Sequence, residues 1–98
     1  MLLVLVLLLP QGGVASFYQP KPQHVQLYGT QLLAAHKTLR PGTIILVQSQ
    51  RTGKVVQVTI AGRGPFVRGR VIDLSREAFR RIELPSRGVV KVRYWRLR

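Results

Sequence analysis

Thr43 to Ile60 is the segment that most narrows what this chain can fold into. Thr43-Ile-Ile-Leu-Val-Gln-Ser49 and Val55-Val-Gln-Val-Thr-Ile60 are runs dominated by β-branched residues, which suit a pleated, half-buried surface. Between them Gln50-Arg-Thr-Gly-Lys54 places its glycine where a tight turn often demands a positive φ. The pattern predicts a β-hairpin. Further strands are expected at Val14–Tyr18, at Val71–Leu74 and at Val89–Tyr94. In the last of these Val90, Val92 and Tyr94 alternate with Lys91 and Arg93. Ser75 is placed to cap a short helix with Ala78, Phe79 and Ile82 on one face and Arg76, Arg80 and Arg81 on the other; Glu77 in its first turn suits the helix dipole. Leu32–His36 is expected to open a second short helix that Arg40-Pro-Gly42 ends, and Gln19–Gln31 to be a loop. Short strands punctuated by glycine and proline, with one or two short helices, predict a mainly β chain closed as a small barrel.

At 98 residues the chain suits a single domain with one modest core. It has no cysteine, which excludes disulfides and thiolate metal sites. With two histidines and three carboxylates, no metal and no cofactor is expected. Sixteen Lys and Arg against those three acids give a net charge of +13. A polyanion is therefore the default partner: nucleic acid, an anionic membrane surface or an acidic wall polymer.

Residues 1–11 form an apolar leader. The run Leu2–Leu9 is too short to span a bilayer, which takes roughly 20 residues as a helix. It matches the apolar region of a secretory signal, with small residues at Gly13-Val-Ala-Ser16 for cleavage, although no Lys or Arg precedes it. The rival reading is a further strand. On the signal reading residues 12–98 are the domain, exported to the periplasm or cell envelope, with no cysteine to carry a lipid anchor.

The stretch Thr59-Ile-Ala-Gly-Arg-Gly-Pro-Phe-Val-Arg-Gly-Arg-Val-Ile-Asp-Leu-Ser75 concentrates the chemistry, since it holds the only aspartate, Asp73. Gly64, Pro65 and Gly69 read as backbone devices of a crossing loop. Asp73 admits two readings: a carboxylate facing a groove, or a cap for the Ser75 helix. Arg63, Arg68, Arg70 and Arg76 lie close to it in sequence; if they are also close in space they hold it ionised, which makes a poor proton donor.

Gly-Gly-Val-Ala-Ser-Phe-Tyr18, Leu32-Leu-Ala-Ala-His-Lys-Thr-Leu39, Arg63-Gly-Pro-Phe66 with Gly69–Ser75, and Gly88–Trp95 together resemble the rare lipoprotein A (RlpA) family, in matching order from about Gly12 to Tyr94. The resemblance implies a six-stranded double-psi β-barrel whose crossing loops form a groove. It further implies binding to peptidoglycan glycan strands, endolytic lytic transglycosylase activity, and action near the division septum, here as a monomer. On the matched positions Asp73 and His36 are the catalytic candidates, and Lys37, Arg63, Arg70 and Tyr18 the substrate-binding ones. His36 equally suits a histidine satisfied inside the barrel. Arg63 can clamp a muramyl carboxylate or be a solvated loop charge. Tyr18 and Tyr94 can stack on sugar or simply pack. Two carboxylates of the family pattern are replaced, at Val25 and Gly62. Most glycosidases use two carboxylates, so the expectation is glycan binding with weak or no turnover. The alternative is a non-enzymatic basic barrel for nucleic acid or another polyanion.

Overall fold

The computed structural model describes residues 10–98; the expected leader, residues 1–11, lies outside them apart from Pro10 and Gln11. The predicted hairpin is β3 (Ile44–Ser49) and β4 (Val55–Gly62), antiparallel with Ile45 opposite Val58 and Val47 opposite Val56. Those four side chains are buried, and Gly53 takes φ 76° in the turn. β6 (Val90–Arg96) adds to the free edge of β3, with Val47 opposite Tyr94 and Ser49 opposite Val92.

β1 (Gln11–Tyr18) closes the barrel by pairing on both sides: antiparallel to β6, and parallel to β5 (Arg70–Ser75) with Ser16 beside Asp73. β2 (Leu33–Ala35) then fills the gap between β5 and β4, antiparallel to the first and parallel to the second. The order β1-β5-β2-β4-β3-β6 is a closed barrel, so no strand keeps an open edge. It is the six-stranded, mainly β architecture expected. Gly13 permits a close approach in this closure, because a Cβ there would stand 2.5 Å from Val71 Cγ1.

Two short helices complete the chain. α1 spans Pro22–Tyr28 and α2 spans Arg76–Ile82, with a 3-10 turn at Pro85–Arg87. Ser75 caps α2 as predicted, accepting the Ala78 N–H, and Ala78, Phe79 and Ile82 are buried in the barrel core. Phe79 meets Phe17 at 4.9 Å between ring centroids. Among the described residues no helix is long and apolar enough to cross a membrane.

Two expectations need correction. Leu32–His36 does not open a helix: Leu33–Ala35 is a strand buried on both faces, hydrogen-bonded to β4 and β5. Local alanine propensity yields there to pairing with two neighbours, and three residues are too few for periodicity to arbitrate. Gln19–Gln31 is not all loop, since it contains α1. That helix buries no residue and so shows no apolar period, but Pro22 starts it and Gly29, at φ 66°, ends it by donating to Val25 O. The expected domain start at Gly12 and the small residues at Gly13–Ser16 both lie within β1. Gln11 already pairs with Tyr94, and Ala15 is fully buried. A cut between Gly13 and Ser16 would remove part of the strand that closes the barrel.

Candidate functional site

Asp73 sits mid-strand in β5, between Ser16 of β1 and Ala35 of β2. The Ser16 hydroxyl donates to Asp73 Oδ1. The helix-cap reading fails, because Ser75 makes the cap; its hydroxyl also donates to Gln31 O (2.7 Å) and accepts the Leu33 N–H. The aspartate instead lines a cavity of about 390 Å³ together with Tyr18, Lys21, His24, Gly62, Arg63 and Phe66. Phe66 is 84% exposed at its rim, an aromatic face offered to solvent. The Tyr18 hydroxyl is buried and has no hydrogen-bond partner among the described residues. Burial, and then the Asp73 charge, push the Tyr18 phenol above its ordinary value.

His36 and Arg63 work as a pair, but on the protein. His36 Nδ1 accepts the N–H groups of Thr38 (3.1 Å) and Leu39 (3.0 Å), so the ring proton belongs on Nε2, which lies 2.8 Å from the Tyr94 hydroxyl. Burial, then Arg63, then Lys37 lower its pKa, which keeps the ring neutral. Arg63 Nη1 donates to the carbonyls of His36 (3.1 Å) and Leu39 (2.5 Å). Together they pin the loop after β2. Of the two readings of His36 the geometry matches the satisfied histidine: both ring nitrogens are engaged, and His36 does not line the Asp73 cavity. Arg63 is exposed, with its Nη1 committed to two backbone carbonyls. Tyr94 is only 8% exposed, with its ring edge-on to His36 at 5.6 Å.

Of the remaining expected binding residues, only Tyr18 reaches the cavity. Lys37 is exposed outside it, and Arg70 lies at the start of β5, opposite Val14, also outside it. At the two positions where the resemblance expects acids, Val25 lines a neighbouring cavity against Ser75 and Arg76, while Gly62 lines the Asp73 cavity. A Cβ on Gly62 would meet only Ala35 Cβ, at 3.7 Å, so a side chain has room there. The other two acids of the chain are elsewhere. Glu77 pairs with Arg80, and the buried Glu83 takes two hydrogen bonds from Arg51, at 2.6 and 2.7 Å. Sequence reasoning missed Ser16, Lys21 and His24. Pro22 and Gly29 were the available signal for the helix that carries the last of them.

Comparison with known proteins agrees with this architecture. The profile of the family described as "Lytic transglycolase" matches residues 11–94. The chain is 47% identical over 89 residues to the "Endolytic peptidoglycan transglycosylase RlpA" of Pasteurella multocida, covering 85% of this chain and 30% of that protein. It is 43% identical over 88 residues to the "Probable endolytic peptidoglycan transglycosylase RlpA" of a Synechocystis species, covering 84% and 27%. The chain therefore spans under a third of the length of these relatives. Among solved structures, the apo expansin of Clavibacter michiganensis aligns with a TM-score of 0.75 at 20% identity, over 92% of this chain and 51% of that one. The Streptomyces papain inhibitor aligns with a TM-score of 0.71 at 23% identity, over 92% and 96%. Those two likenesses concern the fold alone. The matched profile runs from the first strand into the last and takes in both Asp73 and the barrel that holds it; on that span, the chain belongs to the RlpA-like double-psi β-barrel, or lytic transglycolase, family.

Proposed function

We propose that this barrel binds peptidoglycan glycan strands in the Asp73 cavity and turns them over weakly by lytic transglycosylation. The observation that carries the reading is the position of Asp73: its carboxylate is oriented by Ser16 and faces a cavity with an exposed aromatic rim, rather than being spent on a helix cap. Family membership and the names of the relatives supply the substrate class. Cleaving a glycosidic bond needs a proton for the leaving oxygen and a group to stabilise an oxocarbenium-like centre. Asp73 can serve one of these needs. No second carboxylate lines the cavity, because Glu77 lines the neighbouring one and Glu83 is held by Arg51. Turnover below that of a two-carboxylate site follows.

The same reading places the protein in the periplasm, with the apolar run as an export leader removed, if at all, before Gln11. Mass spectrometry of the mature amino terminus checks the cut. The second reading, a basic barrel for nucleic acid, rests on the net charge of +13. Retention on purified sacculi and on DNA–cellulose over a salt series separates the two. Retention on sacculi, weakened by Asp73→Asn, is the expected result. Retention on DNA alone, falling steeply with salt, would replace the glycan reading with the polyanion one.

A further inference from the structure

Among the titratable side chains that share the Asp73 cavity, His24 is an imidazole not committed to the fold. α1 buries no residue, yet it turns His24 into this cavity while the next residue, Val25, lines the neighbouring one. The backbone N–H of His24 donates to Lys21 O at 2.9 Å, but its imidazole makes no hydrogen bond or ion pair among the described residues. The other histidine of the chain, His36, has both ring nitrogens engaged inside the barrel and does not line this cavity. The groups that share the cavity with His24 are Asp73 of β5, Tyr18 of β1, Lys21 ahead of α1 and Arg63 after β4. Of these Arg63 is tied to two carbonyls, and Asp73 receives the Ser16 hydroxyl on one oxygen.

We propose that His24 is the proton donor that works with the Asp73 carboxylate; this rests on the glycan-strand reading above. Imidazole is the side chain whose charge changes between about pH 5 and pH 8, which suits it to give and regain a proton under ordinary conditions. In the step, the imidazolium gives its proton to the bridging oxygen as the bond from that oxygen to the sugar C1 breaks. The 6-hydroxyl oxygen of the same sugar forms the new bond to C1, and its proton passes to the Asp73 carboxylate. The two protein groups have then exchanged one proton, which solvent returns. No water is consumed and nothing is oxidised or reduced. The pairing would give a cavity with a single carboxylate both a proton donor and a proton acceptor.

The test uses the full chain on purified sacculi between about pH 5 and pH 8, with sugar ends carrying the 1,6-anhydro ring counted by mass spectrometry and retention measured by sedimentation. Wild-type product should fall as pH rises through that window while retention persists. His24→Gln should cut product release by about 100-fold and remove the pH dependence, with retention kept. Gln23→Ala, at the exposed neighbouring position of α1, should change neither, and thermal melts confirm that each variant folds. A His24→Gln chain that releases product at the wild-type rate and with the wild-type pH profile overturns the proposal. So does a wild-type chain that is retained on sacculi but yields no anhydro product at any pH; that result leaves the glycan-binding reading standing. Absence of retention overturns both.

Discussion

Replacing Gly13 with alanine probes how β1 is seated between β5 and β6, and with it the placement of Ser16 and Tyr18 at the site. A Cβ at position 13 would lie 2.5 Å from Val71 Cγ1, 2.8 Å from Cγ2 and 3.2 Å from its Cβ. Ordinary carbon contacts are about 3.5–4.0 Å, so the nearest approach overlaps by about 1 Å. Valine cannot easily turn away, because its branched side chain has few χ1 options, and Val71 packs against the core. Forcing a methyl into such a position costs about 1–3 kcal/mol. For a domain of this size that corresponds to a fall in Tm of roughly 5–20 °C. Gly→Ala elsewhere often stabilises by about 0.4–1 kcal/mol through the unfolded chain, so the sign of the effect is diagnostic. The assay is thermal unfolding of Gly13→Ala, Val71→Ala and the double variant. Val71→Ala removes the obstructing methyls, so the pair should couple favourably by about 0.5–3 kcal/mol. Unchanged stability of Gly13→Ala, or strict additivity in the double variant, would refute this account of the β1–β5 contact.

Three further perturbations address other parts of the molecule. Glu83 is held at about 2 by hydrogen bonds from Arg51, with the Leu84 N–H and the charge of Arg87 adding to the effect, below the roughly 4.3 of an unfolded glutamate. Its contribution to stability is therefore complete above the unfolded value and is lost as pH falls toward 2. Arg51→Ala should flatten that acid limb in a pH series of thermal melts, and an unchanged limb would show that the network is not its source. Gly62→Asp should fold with little change in Tm, given the room beside Ala35, and raise release of anhydro-ended sugars at least about tenfold; a large loss of Tm would contradict the space seen there. Tyr18→Phe deletes a hydroxyl that has no partner among the described residues. Stability should hold, while retention on sacculi weakens by about 1 kcal/mol, or roughly fivefold, if glycan supplies the missing hydrogen bond; equal retention would place the sugar elsewhere.

The residues that could be placed from local pattern are those whose environment is set by near neighbours along the chain. The 43–60 hairpin, the alternation of Val90, Val92 and Tyr94, and the Ser75 cap all depend on periods of two or on bonds three residues apart, which a single segment displays. β2 and α1 depend on other things. Leu33–Ala35 is a strand only because β4 and β5 flank it, and α1 is carried by its end residues without an apolar face. The same divide runs through the site. Asp73 stood out in the sequence as the one aspartate within a dense motif, yet the choice between helix cap and cavity wall was made by Ser75 taking the cap and by β1 bringing Ser16 alongside. His36 stood in an equally prominent motif, but Tyr94, 58 residues away, and the loop N–H groups occupy it. His24 carried no motif at all and reached the cavity through the fold. By itself the sequence determined the mainly β class, the hairpin and the capped helix. Only the tertiary structure decided which polar groups remain free to meet a ligand, because hydrogen-bond partners are assigned by barrel closure between strands far apart in the chain.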